Sequence, residues 1–161
     1  MTDSLTIALA QLNPTVGDID GNVARIRAAR LAAGADGADL VVGTELCVSG
    51  YPPEDLVLKN AFLEVVRAGV EVLAEETADG GPGLIVGAPW LDGDGKRYNT
   101  ALVLDGGKIV TRRDKYDLPN YGVFDEKRVF DAGAPSGPVN FRGARLGLAV
   151  CEDMWTPDVS E

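Results

Sequence analysis

Three short, almost wholly apolar runs, the first two each followed by a stretch of helical periodicity, constrain the fold more than any other feature. LTIALAQL, Leu5 to Leu12, is closed by Asn13-Pro14. Its length and lack of alternation predict a buried strand ending in a turn. GDIDGN follows, with Asp18 and Asp20 as N-cap candidates. Val23, Ile26, Ala29 and Ala33 then recur at helical spacing as far as Gly34 and Gly37. Asp39 to Gly43 predicts a second buried strand, with Glu45 just past its carboxyl end. A second helix is expected from Lys59 to Glu76, one face marked by Phe62, Val65, Val66, Gly69 and Leu73. GLIVGAP is the third apolar run. YNTALVL and KIVTRRD read as two strands joined across Asp105-Gly106-Gly107, and RLGLAV as a strand with Cys151 at its C-terminal end. Strand, helix, strand, helix and then mostly strands predict a mixed α/β layered fold. In such folds sites collect beyond the carboxyl ends of strands. Glu45, Lys115 and Cys151 stand at or near such ends.

Composition narrows the chemistry. The 161 residues suit one domain, and the 15 basic and 25 acidic residues give a net charge of −10. That balance argues against nucleic acid, whose binding rests on phosphate neutralisation, and against an anionic membrane surface. With no histidine in the sequence, Ser-His-Asp and Cys-His catalysis are unavailable within the chain. Two cysteines, Cys47 and Cys151, are too few for a disulfide framework or a four-cysteine zinc site, and no metal site is expected. The opening MTDSLTIALAQLNP has no basic leader, so it does not read as a signal peptide. No apolar stretch approaches the ~18 residues that span a bilayer. A cytoplasmic protein with reduced thiols is expected.

Singly, the three polar residues at strand ends have ordinary readings. Cys151 in LAVCED could be a small buried hydrophobe, Glu45 a loop carboxylate or N-cap, and Lys115 a solvated lysine. Together they have a chemical logic. A thiol must lose its proton to attack, and a carboxylate can take that proton where histidine is lacking. A nearby ammonium favours the thiolate and can donate to a developing oxyanion, beside the backbone N–H that follows the cysteine. Cysteine, carboxylate and ammonium suffice for covalent attack on an amide carbonyl.

Three blocks carry a resemblance: TELCVSGYPPEDL (Thr44 to Leu56), DKYDLPNYGVFDEKRVF (Asp114 to Phe130) and LAVCEDMW (Leu148 to Trp155). In residue type and in order, Glu then Lys then Cys, they resemble the catalytic blocks of the carbon–nitrogen hydrolase (nitrilase) superfamily. The longer SGYPPEDL and LPNYGVFDEKRVF blocks resemble the glutaminase branch found in bacterial glutamine-dependent NAD synthetases. The likeness covers essentially the whole chain. Thr44 and Cys47 depart from it, where proline and where alanine, serine or phenylalanine are usual.

The resemblance implies a four-layer α-β-β-α sandwich. It implies Glu45 as general base, Lys115 as electrostatic partner of the tetrahedral intermediate and Cys151 as nucleophile. Glu126 would position the lysine and substrate, and Tyr121 would contact glutamine. No cofactor is implied for this stretch itself. ATP, Mg²⁺ and deamido-NAD belong to a synthetase domain further along such proteins, and a homo-oligomer is common among nitrilase-like domains. By the same resemblance, residues 1–161 are the N-terminal part of a glutaminase domain, with the sandwich incomplete at its C-terminal end. A stand-alone amidase of the same superfamily and an inactive truncated module are the alternatives.

Overall fold

Asp18 caps the first helix as its position predicts. Its carboxylate accepts the N–H of Gly21 at 3.1 Å, which satisfies one of the donors that a helix start leaves free. In the computed structural model, residues 4–135 and 137–160 are described. Ser136 of the Gly/Pro connection and Glu161 lie outside them.

Helix α1 spans Ile19–Ala35 and α2 spans Asn60–Glu76. Both cover one face of a five-stranded sheet. Its strands β1 (Ile7–Leu9), β2 (Leu40–Val42), β3 (Gly83–Leu91), β4 (Arg97–Asp105) and β5 (Lys108–Asp114) lie in sequence order. β1, β2 and β3 are parallel, and β3, β4 and β5 antiparallel. The principal core, from Ile26 and Val70 to Val86 and Leu104, fills the space between helices and sheet. On the opposite face lies the hairpin of β6 (Val139–Phe141) and β7 (Ala144–Leu146), with Val139 and Phe141 packed over Leu40, Ile85 and Val103. Three layers of the expected sandwich are therefore present: helices, sheet, and the start of a second sheet.

Helix α2 comes close to α1 at Gly69, where a Cβ would stand 3.1 Å from the side chains of Ile19 and Val23. Its buried face is Leu63, Val66, Val70, Leu73 and Ala74. The expectation for Val65 is corrected: it is 52% exposed, one position off the stripe.

Two strand expectations are also corrected. β1 is only three residues long, with Ile7 45% and Leu9 72% exposed, because it is an edge strand that the small hairpin does not reach. Of RLGLAV, only Arg145 and Leu146 pair, and residues 147–150 run on without a ladder partner among the described residues. An apolar run reports that a segment is suited to burial but does not name the neighbour that buries it.

The β4–β5 ladder shifts register between Val103 and Leu104. Leu104 faces Ile109 but Val103 faces Thr111, so Val110 is the extra residue of a β-bulge. Beyond the bulge the ladder ends with the Lys115 N–H donating to the Asn99 carbonyl at 2.8 Å.

Candidate active site

The turn that carries Glu45 is set by a close backbone approach. A Cβ on Gly87 of β3 would lie 2.2 Å from the Leu46 nitrogen and 2.8 Å from the Thr44 oxygen, so only glycine fits. The Val48 N–H donates to the Gly87 carbonyl at 3.1 Å, and the buried Asn22 amide donates to the Val48 carbonyl at 3.1 Å. Glu45 is thus held by β3 on one side and α1 on the other.

Lys115 enters from the end of β5 and is only 1% exposed. Its Nζ donates to Glu45 Oε1 at 2.7 Å and to Glu126 Oε1 at 3.0 Å. It also lies 2.9 Å from Glu126 Oε2, in ion-pair contact without a second aligned hydrogen bond. Burial pulls the ammonium down, but the bonds to Glu45 and Glu126 more than offset this, so Lys115 stays charged. Burial pushes the Glu126 carboxyl above the usual carboxylate range, against the pull of Lys115. The loop between them turns at Gly122, which has a left-handed φ of 60°, and is anchored by Phe130 and Leu118 against Leu46, Val57 and Leu63.

Cys151 follows the unpaired 147–150 run and opens a 3₁₀ turn, Cys151–Trp155, with a left-handed φ of 51°. Its side chain is exposed. It shares with Glu45 a cavity of about 290 Å³ between the two sheets, walled by Gly43, Thr44, Gly87 and Thr100 and by residues 146–150. Burial and then the Glu45 charge push the thiol up, while Lys115 and the N–H of Glu152 pull it down; the rise prevails. The resting group is therefore a thiol, and attack requires a base. Glu45, Lys115, Glu126 and Cys151 are brought together. Tyr121 stands apart from the cavity, 54% exposed, with its hydroxyl 3.0 Å from both oxygens of Glu152 and its ring edge-on to Phe124.

Three residues of the site escape sequence reasoning. Asn99 of β4, fully buried, donates its amide to Glu45 Oε1 at 2.8 Å, while its own Oδ1 has no hydrogen-bond partner among the described residues. An unmet buried acceptor costs about 1–3 kcal/mol. Tyr51 donates its hydroxyl to Glu126 at 3.0 Å. Asp153 accepts the N–H groups of Tyr116 and Asp117 with one oxygen and of Val150 with the other, tying the lysine loop to the cysteine turn. The signal for Asp153 was its place two residues after the cysteine; an asparagine inside YNTALVL offered none. No three His, Cys, Asp or Glu side chains among the described residues form a group able to hold a metal, and no described helix is long and apolar enough to cross a membrane.

The chain is 46% identical over 160 residues to the glutamine-dependent NAD(+) synthetase of Rhodobacter capsulatus, covering 99% of this chain and 29% of that protein. It is 41% identical to the Thermotoga maritima protein of the same name, covering 95% of this chain and 26% of the other. Among solved structures it superposes on the glutamine-dependent NAD+ synthetase of Acinetobacter baumannii, bound to adenosine diphosphate, with a TM-score of 0.85 and 36% identity, covering 96% of this chain and 29% of that one. It also superposes on an amidase from Nesterenkonia sp. with a TM-score of 0.81 and 28% identity, covering 99% and 60% of the two chains. The chain thus spans under a third of the synthetases it matches. The carbon–nitrogen hydrolase model matches residues 6–160, and with a buried lysine held between two carboxylates beside an exposed thiol, the chain belongs to the carbon–nitrogen hydrolase family.

Proposed function

We propose that this chain carries the glutaminase chemistry of a glutamine-dependent NAD synthetase. The observation that supports this most is Lys115, buried and bonded to both Glu126 and Glu45, the glutamate that lines one cavity with Cys151. Glu45 takes the thiol proton as Cys151 sulfur bonds to the side-chain carbonyl carbon of glutamine. The oxyanion is stabilised by Lys115 and by the N–H of Glu152. The tetrahedral intermediate collapses with cleavage of the C–N bond, Glu45 returns the proton to the leaving nitrogen, and ammonia departs. Water, deprotonated by Glu45, then cleaves the γ-glutamyl thioester and releases glutamate and the thiol. Glu126 holds the lysine. Tyr121, exposed outside the cavity and bonded to Glu152, contacts the outer end of glutamine, and Glu152 offers the substrate's ammonium group a counter-charge.

In this reading residues 1–161 are the N-terminal part of a glutaminase domain. The share of the synthetases that the chain spans supports it. Deamido-NAD and ATP with Mg²⁺ are then substrates and cofactor of a synthetase domain elsewhere in the whole protein, which uses the ammonia. Every protein group in the steps above belongs to this chain. A homo-oligomer and a cytoplasmic location complete the reading.

The test is labelling of the purified chain with a glutamine analogue bearing an electrophilic ketone on its side chain, mapped by mass spectrometry. Modification of Cys151 that is lost in Cys151→Ala and suppressed by excess glutamine is expected. Suppression by simple amides but not by glutamine would favour an amidase, the reading that the Nesterenkonia neighbour supports. A folded chain unlabelled at Cys151 would mean an inactive module.

A further inference from the structure

Glu45 receives two donors, and both converge on one oxygen. Lys115 Nζ reaches Oε1 at 2.7 Å and Asn99 Nδ2 reaches the same Oε1 at 2.8 Å. No donor among the described residues reaches Oε2. A carboxylate held on one oxygen by two donors from different strands cannot rotate about its terminal bond without breaking both. Asn99 does more than this. Its carbonyl accepts the Lys115 N–H at 2.8 Å, so one residue of β4 fixes the lysine through its main chain and the glutamate through its side chain. It does so with its own Oδ1 buried and unmet, an arrangement that core packing alone would not favour.

We infer that Asn99 is the positioning residue of the general base: it holds Glu45 so that Oε2 faces the cavity and the Cys151 thiol. This rests on the assignment of Glu45 as base proposed above. The ionisable groups that bear on Glu45 and the thiol are Lys115, Glu126 and Tyr51, with Tyr121 and Glu152 beyond the sulfur. None belongs to β4, so replacing Asn99 alters geometry without altering charge.

Alkylation of Cys151 by iodoacetamide, an electrophile with a simple amide group, reads this directly. The S–C bond forms as the C–I bond breaks, iodide leaves, and the thiol proton passes to Glu45 or to solvent. Rates for the intact chain are followed by mass spectrometry across the range in which carboxylates and thiols titrate. Cys47, buried against the Gly87 carbonyl, reports in the same spectra whether a variant has opened. In the unaltered chain, base assistance gives a shoulder of reactivity below the thiol's own titration. Asn99→Leu, nearly isosteric and unable to donate, is expected to lower that shoulder about tenfold, less than loss of the whole general-base contribution would. Its alkaline limb stays in place because the Glu45 charge remains. Glu45→Gln removes the shoulder and also moves the limb to lower pH.

An unchanged profile in Asn99→Leu with Cys47 protected, while Glu45→Gln loses the shoulder, overturns the role of Asn99 alone. A shoulder that survives in Glu45→Gln overturns the base assignment itself. If Asn99→Leu exposes Cys47, Asn99→Ala carries the same two outcomes.

Discussion

At Lys115 a full positive charge lies almost out of water between Glu45 and Glu126. Removing one member of such a group leaves the others uncompensated. Lys115→Met is therefore expected to destabilise the chain by about 3–5 kcal/mol as well as abolish reactivity toward amides. Adding Glu126→Gln should recover part of the stability but none of the reactivity, which urea unfolding and labelling would separate. Glu126 also makes a pH prediction. Its folded-state value is raised, so its contribution to stability is full below the ordinary carboxylate range and is lost as pH rises through the raised value. The urea midpoint of the unaltered chain, taken relative to Glu126→Gln, should fall over that window. Lys115, raised as well, adds stability that is lost only as pH climbs through its own higher value. Glu45, Lys115, Glu126 and Cys151 could be picked from the sequence because each lies in a distinctive block. Asn99 and Tyr51 could not, since a strand asparagine and a loop tyrosine acquire meaning only from the glutamates they meet across the fold.

Among elements, the turn of Glu45 and strand β3 depend on each other. Gly87→Ala would force the Thr44–Leu46 backbone away from the sheet, because the atoms in its path are main chain and cannot give. A loss of about 1–3 kcal/mol is expected. A larger loss of Cys151 labelling should accompany it, as Glu45 moves with the turn; thermal unfolding and labelling on one sample would show both. That GLIVGAP is a strand was legible from its apolar run. That its Gly87 seats the turn of Glu45 was not, because a glycine within a strand signals close approach without saying to what. The helices were legible in register and length, from the Asp18 cap to the close of α2, apart from the single position at Val65.

For the whole molecule, the open feature is β1. Its outer edge has no strand partner among the described residues, and Leu9 and Ile7 are exposed beside it. An apolar edge of this kind pairs with whatever strand it meets. The isolated chain is expected to associate with rising concentration, in light scattering after size exclusion. Leu9→Lys should shift it toward the monomer without loss of helical signal. This was the least legible part of the fold: the run Leu5 to Leu12 reads as a strand suited to burial, yet its cover depends on segments that periodicity does not identify. Trp155 and Met154, exposed within the cysteine turn, raise the same question there.

The bulge at Val110 settles which charge meets Glu45. Counting in step from the Asp105–Lys108 pair, an unbulged hairpin would bring Asp114 opposite Asn99. The extra residue advances the strand by one, so Lys115 arrives there instead. One residue of length, distant from the cavity and without chemistry of its own, thus exchanges an anion for a cation at the Glu45 end of the sheet. Inserting one residue between Thr111 and Arg112, with the bulge retained, should leave a hairpin that still folds but brings Asp114 opposite Asn99 and presents Glu45 with a carboxylate, and Cys151 should lose its reactivity although Glu45, Lys115 and Cys151 are all still encoded.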